Sequence, residues 1–116
     1  MKLHQFFLII FTVVLLSIGQ VLFKYASEKI NITENGILFG LILNPIVIIA
    51  LIIYGIATIT WIISLTGVEL RVAYPYAALA FLIVPLLSHL FLGESININT
   101  FIGAFFILFG VFISSL

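Results

Sequence analysis

Four long apolar runs, at about residues 6–25, 45–65, 72–92 and 99–115, leave little room for anything else in this chain. A helix rising 1.5 Å per residue needs about 20 largely apolar residues to cross the hydrocarbon of a bilayer, and each run comes close to that length. Hydrophobic residues make up 65% of the chain and charged residues 7%, with a mean hydropathy of +1.46, so a water-soluble globule would leave most of its surface apolar. The expectation is an all-α membrane protein with four transmembrane helices in an antiparallel up-down bundle, one domain over residues 1–116.

The connections support that topology. "TGVEL" and "GESINI" are only a few residues long, so the helices they join must be antiparallel neighbours. The first connection holds the only extended polar stretch, "SEKINITENG", followed by "ILFGLIL", which is apolar but too short to cross and is expected to lie at the interface over about 37–43. Asn44-Pro45 reads as an N-cap with proline at the first helical position, which starts the second span there. Lys2, the apolar run and the small-x-small triplet Ser17-Ile18-Gly19 superficially resemble a cleavable signal, but the run continues through Phe23 and is long enough to span.

Several function classes fall away. Four Lys/Arg balance four Asp/Glu, which offers neither a nucleic-acid footprint nor a basic peripheral anchor. The absence of cysteine removes thiolate chemistry and Cys-based metal sites. No G-x-G-x-x-G, P-loop or H-E-x-x-H pattern occurs, so no enzyme, cofactor or metal is expected. The remaining partners are lipids, solutes and other membrane proteins.

Polar residues inside the spans are therefore the informative ones. In "SIGQVLFKYAS", Ser17, Gln20 and Lys24 fall within about 60° of one another at 100° per residue. Burying an amide in hydrocarbon without a partner costs several kcal/mol, so this face should meet the bundle or a wet cavity. Two readings stay open: Gln20 bridges helices while Lys24 snorkels at the membrane edge, or both line a solute path. Tyr54, Thr58 and Trp61 form a stripe on the second span, and Tyr74, Ala78, Phe81, Pro85 and Ser88 form one on the third. Aromatic stripes at this spacing also serve packing and interfacial anchoring, Trp61 in particular. Pro85 should kink the third helix by removing the donor for the Phe81 carbonyl. On the fourth span Gly103 and Gly110 share a face and mark a close helix contact, within the bundle or between subunits.

Taken together, "LLSIGQVLFKYAS" (15–27), "GVELRVAYPYAAL" (67–79) and "FLGESININTFIGAFFILFGVFI" (91–113) resemble the drug/metabolite transporter superfamily in order, spacing and chain length. The resemblance is to its short four-helix members: small multidrug resistance proteins and, more closely, small EamA-like proteins and the subunits of the aminoarabinose-phosphoundecaprenol flippase. It implies a multi-pass protein of the bacterial inner membrane that moves a lipid-linked amphiphile between leaflets. Small multidrug resistance proteins carry a glutamate midway along the first helix, where this chain has Leu16. Glu28, Glu34, Glu69 and Glu94 all fall in loops or at helix ends, which leaves no membrane carboxylate to exchange a proton for a cation. Gln20 and Lys24 suit a phosphate headgroup better than a quaternary ammonium.

The leading expectation is a transporter or flippase subunit for an anionic lipid-linked substrate, with Ser17, Gln20, Lys24, Tyr54, Trp61, Arg71 and Tyr74 as substrate-binding residues. The alternatives are a small multidrug-type cation exporter using Glu69 or aromatic faces, and a non-transporting subunit of a larger complex. Four helices enclose a path poorly, so a homodimer through Gly103 and Gly110 is expected, or a heterodimer with a similar small subunit. Lys2 and Arg71 on one side balance Lys24 and Lys29 on the other, which allows insertion both ways and an antiparallel dimer.

Overall fold

The computed structural model describes residues 2–29, 44–114 and 116, and for Lys29 the backbone alone. The expected interfacial segment at 37–43 lies outside the described residues. Helix α1 (Leu3–Lys29) has 27 residues and is about 40 Å long at 1.5 Å per residue, longer than a bilayer core is thick. Its polar ends therefore reach both interfaces. Helix α2 (Pro45–Ser64) begins where the Asn-Pro pair directs: the Asn44 side-chain oxygen accepts from the Ile46 N–H at 2.9 Å, and Pro45 occupies the first turn, where no intrahelical donor is needed. After α2, Gly67 turns the chain at φ 75°, a left-handed conformation that side chains with a Cβ rarely adopt.

The third span is not one regular helix. It comprises a short α3 (Leu70–Ala73), a 3-10 stretch (Tyr74–Leu79) and α4 (Ala80–Leu92). Pro75 has no N–H for the Arg71 carbonyl, which breaks the i to i−4 ladder at the place where the tighter winding starts. Gly93 ends α4 in the left-handed region, at φ 71°. Helix α5 (Ile98–Ser114) has 17 residues and is the shortest span. The described residues form helices and turns, and the four spans alternate in direction as an all-α membrane bundle.

Helix α1 is the centre of this bundle. It packs along α2 and against α4, whereas α5 rests chiefly on the 3-10 stretch and α4. The α1–α2 seam is built from small residues seven apart: Thr12, Gly19 and Ala26 on one side, Ala50, Ala57 and Ser64 on the other, all buried. A Cβ on Gly19 would meet the Tyr54 ring at 3.4 Å and the Ala50 carbonyl at 4.0 Å. The Thr12 and Thr60 hydroxyls lie 2.7 Å apart across the seam, which pins its register. Small side chains let backbones approach where lipid supplies no hydrophobic push. A second cluster, Ile9, Val13 and Ala73 with Trp61, Tyr76 and Ile83 packed around it, joins α1 to the start of the third span.

Buried hydroxyls are satisfied locally: Thr12 donates to the Leu8 carbonyl, Ser17 to Val13 and Ser64 to Thr60, at 2.7–2.8 Å. No buried side-chain nitrogen or oxygen among the described residues lacks a partner. The outer faces are apolar and open, Phe105, Phe106, Phe109 and Phe112 of α5 each being more than half exposed. Such faces are stable against lipid, not water.

Candidate functional site

Gln20 and Lys24 project from α1 into a groove of about 390 Å³ whose far wall is the end of α4 and the α4–α5 connection. Its polar lining also includes Ser88, Glu94, Ser95 and Thr100. The wall is assembled by local chemistry. The left-handed Gly93 turns the chain back, the Glu94 N–H bonds to the Ser88 carbonyl at 3.3 Å, and the Glu94 carbonyl lies 2.7 Å from Nδ1 of His89. Ser88 donates its hydroxyl to the Pro85 carbonyl at 2.9 Å, and Pro85 itself lines the groove. A proline one turn below Ser88 leaves the Phe81 carbonyl without its helical donor, so this stretch of α4 has more polar character than its sequence of apolar side chains suggests.

Charge in the groove is of both signs. Lys24 Nζ lies 3.8 Å from a Glu28 carboxylate oxygen, with both side chains about half exposed. A pair of this kind contributes at most about 1 kcal/mol, so the ammonium remains available to a ligand. Glu94 forms no ion pair among the described residues.

Directly beside the polar groove is an apolar cleft of about 500 Å³ between Ile18, Leu22 and Tyr25 of α1 and Leu87 and Phe91 of α4. Val21 and Leu92 belong to both walls and form the ridge between them. A ligand with a polar head and a hydrocarbon chain could occupy both sides of this ridge. Among the described residues no group of three or more His, Asp or Glu is arranged to hold a metal.

The seven residues singled out in the sequence do not form one cluster. Ser17 shares a stripe with Gln20 and Lys24 but is fully buried, its hydroxyl committed to its own helix, so it does not line the groove. Gln20 makes no hydrogen bond to another helix among the described residues, and its exposed side chain belongs to the groove. Tyr54 lies on the α1–α2 side, its ring 5.8 Å from that of Phe23. Trp61 and Tyr74 form an edge-on pair at 6.5 Å near the opposite end of the bundle. Arg71 is at that end too, where its guanidinium bonds to Glu69 at 3.1 Å with both side chains exposed. Arg71 and Ser88 are about 25 Å apart along the third span, reckoning 1.5 Å per residue. Glu94, Ser95 and Thr100 escaped the sequence reading because they lie in or beside a short loop. The glycine immediately before Glu94 was the available signal that this loop turns back on the helix.

Gly103 and Gly110 are exposed, and among the described residues nothing comes within 4 Å of a Cβ built on either. The buried face of α5 is instead that of Ala104. Both glycines are therefore open to a close contact that the described residues do not fill.

Comparison with known proteins follows the same lines. The model of the EamA-like transporter family matches residues 41–116, which take in α2 through α5. The chain is similar to the probable 4-amino-4-deoxy-L-arabinose-phosphoundecaprenol flippase subunit ArnE of Pectobacterium atrosepticum, 27% identical over 113 residues that cover 94% of this chain and 96% of that one. The protein of the same description from Yersinia pestis (strain Pestoides F) is 26% identical over 121 residues, 97% of each chain. That of Yersinia pseudotuberculosis serotype O:3 reaches 33% over 67 residues, 58% of this chain and 59% of that one. No solved structure matches. With apolar helices long enough to span, a family model over most of its length and relatives matched nearly end to end, the chain is a multi-pass protein of the bacterial inner membrane and belongs to the EamA-like transporter family.

Proposed function

We propose that this protein is a flippase subunit that moves a lipid-linked sugar phosphate between leaflets, using the α1–α4 groove for the headgroup and the adjoining cleft for the hydrocarbon chain. The observation that carries this reading is the polar groove with Lys24 beside an apolar cleft, divided only by Val21 and Leu92. Lys24 and the Gln20 amide supply donors for a phosphate, and a charge-assisted hydrogen bond is stronger than a neutral one. Glu94 gives the same groove a carboxylate for a cationic substituent. The relatives' names describe a headgroup of that kind, an amino sugar joined through phosphate to undecaprenol. Their description as subunits supports assembly with a second copy or a similar small chain, and the outward face bearing Gly103 and Gly110 is suited to it. The cation-exporter alternative loses support because Glu69, its candidate acid, is exposed and paired with Arg71.

The test is transport in proteoliposomes containing a polyprenyl-phosphate-linked amino sugar, read with a membrane-impermeant amine reagent and normalised to folded protein. Wild type should expose inner-leaflet headgroups, and Lys24→Ala should lower the rate at least about ten-fold, the equivalent of one charge-assisted hydrogen bond. Normal specific activity in the variant would make Lys24 a membrane-edge anchor. Activity toward a cationic dye alone would favour export of cations, and inactivity toward both together with a co-purifying larger protein would favour a non-transporting subunit.

A further inference from the structure

At the end of the bundle opposite Lys24, a second polar cavity opens between the start of α1 and the α2–α3 connection. It has a volume of about 730 Å³ and is lined by Lys2, His4 and Gln5 on one side and Ile63, Thr66 and Gly67 on the other. Its wall is fixed by a single amide: Gln5 accepts from the Lys2 backbone N–H at 3.0 Å and donates Nε2–H to the Thr66 carbonyl at 2.7 Å, which ties α1 to the connection. Among the described residues no acidic side chain lines the cavity, and neither Lys2 nor His4 has an ion-pair partner. The described lining therefore holds the Lys2 ammonium and the His4 imidazole with no carboxylate beside them. Gln5 and Lys24 are on the same helix, about 28 Å apart at 1.5 Å per residue, close to the roughly 30 Å thickness of a bilayer core. With Lys24 at one headgroup layer, this cavity is at the other.

We infer that the Lys2–His4–Gln5–Thr66 cavity binds the phosphate of a lipid headgroup in the leaflet opposite the Lys24 groove. The inference does not depend on transport. A free phosphate would share the chemistry, but the cavity opens at headgroup depth beside apolar Leu8 and Ile63, which favours a phosphate that arrives with its chain.

The sole tryptophan, Trp61, is in the last turn of α2 at this end of the bundle, one turn or so from Ile63 and Thr66 along the chain, and senses lipid at this membrane face rather than at the Lys24 face. The full chain is reconstituted in phosphatidylcholine bilayers, and quenching of Trp61 by brominated phosphatidic acid is compared with quenching by brominated phosphatidylcholine. Wild type should prefer the phosphatidic acid about five-fold or more, the preference expected of one cation at a headgroup. The preference should fall to near one in Lys2→Gln/His4→Gln and stay unchanged in Lys24→Gln, whose charge is at the other face. A double variant that retains both its helical content and the preference would overturn the assignment. Abolition of the preference by millimolar inorganic phosphate would also overturn it, assigning the cavity to soluble phosphate. Because transport is not read, a chain that moves no lipid leaves this test intact.

Discussion

The α1–α2 seam and helix α5 use small residues at the same seven-residue spacing and to opposite ends. Along the seam, Thr12, Gly19 and Ala26 meet Ala50, Ala57 and Ser64, and every one of them is buried. On α5, Gly103 and Gly110 repeat with equal regularity, yet both are exposed and meet nothing among the described residues. A small-residue repeat on a membrane helix is thus a statement about a possible close approach, and its partner can be in the same chain or outside it. The seam also carries something α5 lacks, a hydroxyl pair that crosses between helices. Lipid tails are as apolar as leucine, so close van der Waals packing and interhelical hydrogen bonds, not hydrophobic burial, decide which helices associate.

The strongest way to break this contrast is Gly19→Leu. With a Cβ already 3.4 Å from the Tyr54 ring, a branched side chain must push α2 away, and unfolding in a detergent titration should show a loss of about 3 kcal/mol. A variant as stable as wild type would mean that the close approach at Gly19 contributes nothing. Thr12→Val probes the other component of the seam. It keeps the shape and deletes the contact to Thr60, so the same titration should register about 1 kcal/mol, within the range measured for polar contacts between membrane helices.

On α5 the expectation reverses. Gly103→Leu and Gly110→Leu should leave monomer stability within about 0.5 kcal/mol, because open space surrounds both positions. If this face is the subunit contact, each variant should instead lower the dimer fraction measured by cross-linking in detergent. Dimers that persist in full would move the contact to another surface. The smallest stability effect belongs to Gln20→Leu. No interhelical bond is lost, so unfolding should be unchanged or slightly less favourable, while specific transport falls. A stability loss near 1 kcal/mol with normal specific transport would restore the reading of Gln20 as a bridge between helices.

Much of the candidate site was visible in the sequence only as separate signs. Gln20 and Lys24 stood out because polar groups inside an apolar run need an explanation, and Pro85 and Ser88 because they share a stripe. That these four residues face one another across a groove depends on how α1 rotates against α4. The same rotation removes Ser17 from the groove, although 60° of helical arc is all that separates it from Gln20. Arg71, Trp61 and Tyr74 looked like companions of Lys24 as long as spans were compared by residue type. Antiparallel alternation puts them near the other membrane face. The 3-10 winding over Tyr74–Leu79 was expected as regular helix, since hydropathy does not register a missing backbone donor at Pro75.

Local sequence alone determined the solvent, the number of spans, the cap at Asn44 and the turn at Gly93, because each rests on residues close together in the chain: twenty apolar side chains, a side-chain oxygen beside free N–H groups, a backbone that tolerates positive φ. Only tertiary structure decided which stripe of each helix meets protein and which meets lipid. In water, burial separates the two faces of a helix by polarity. In a bilayer both faces are apolar, so the choice falls to shape, and shape is defined only once a second helix is in place.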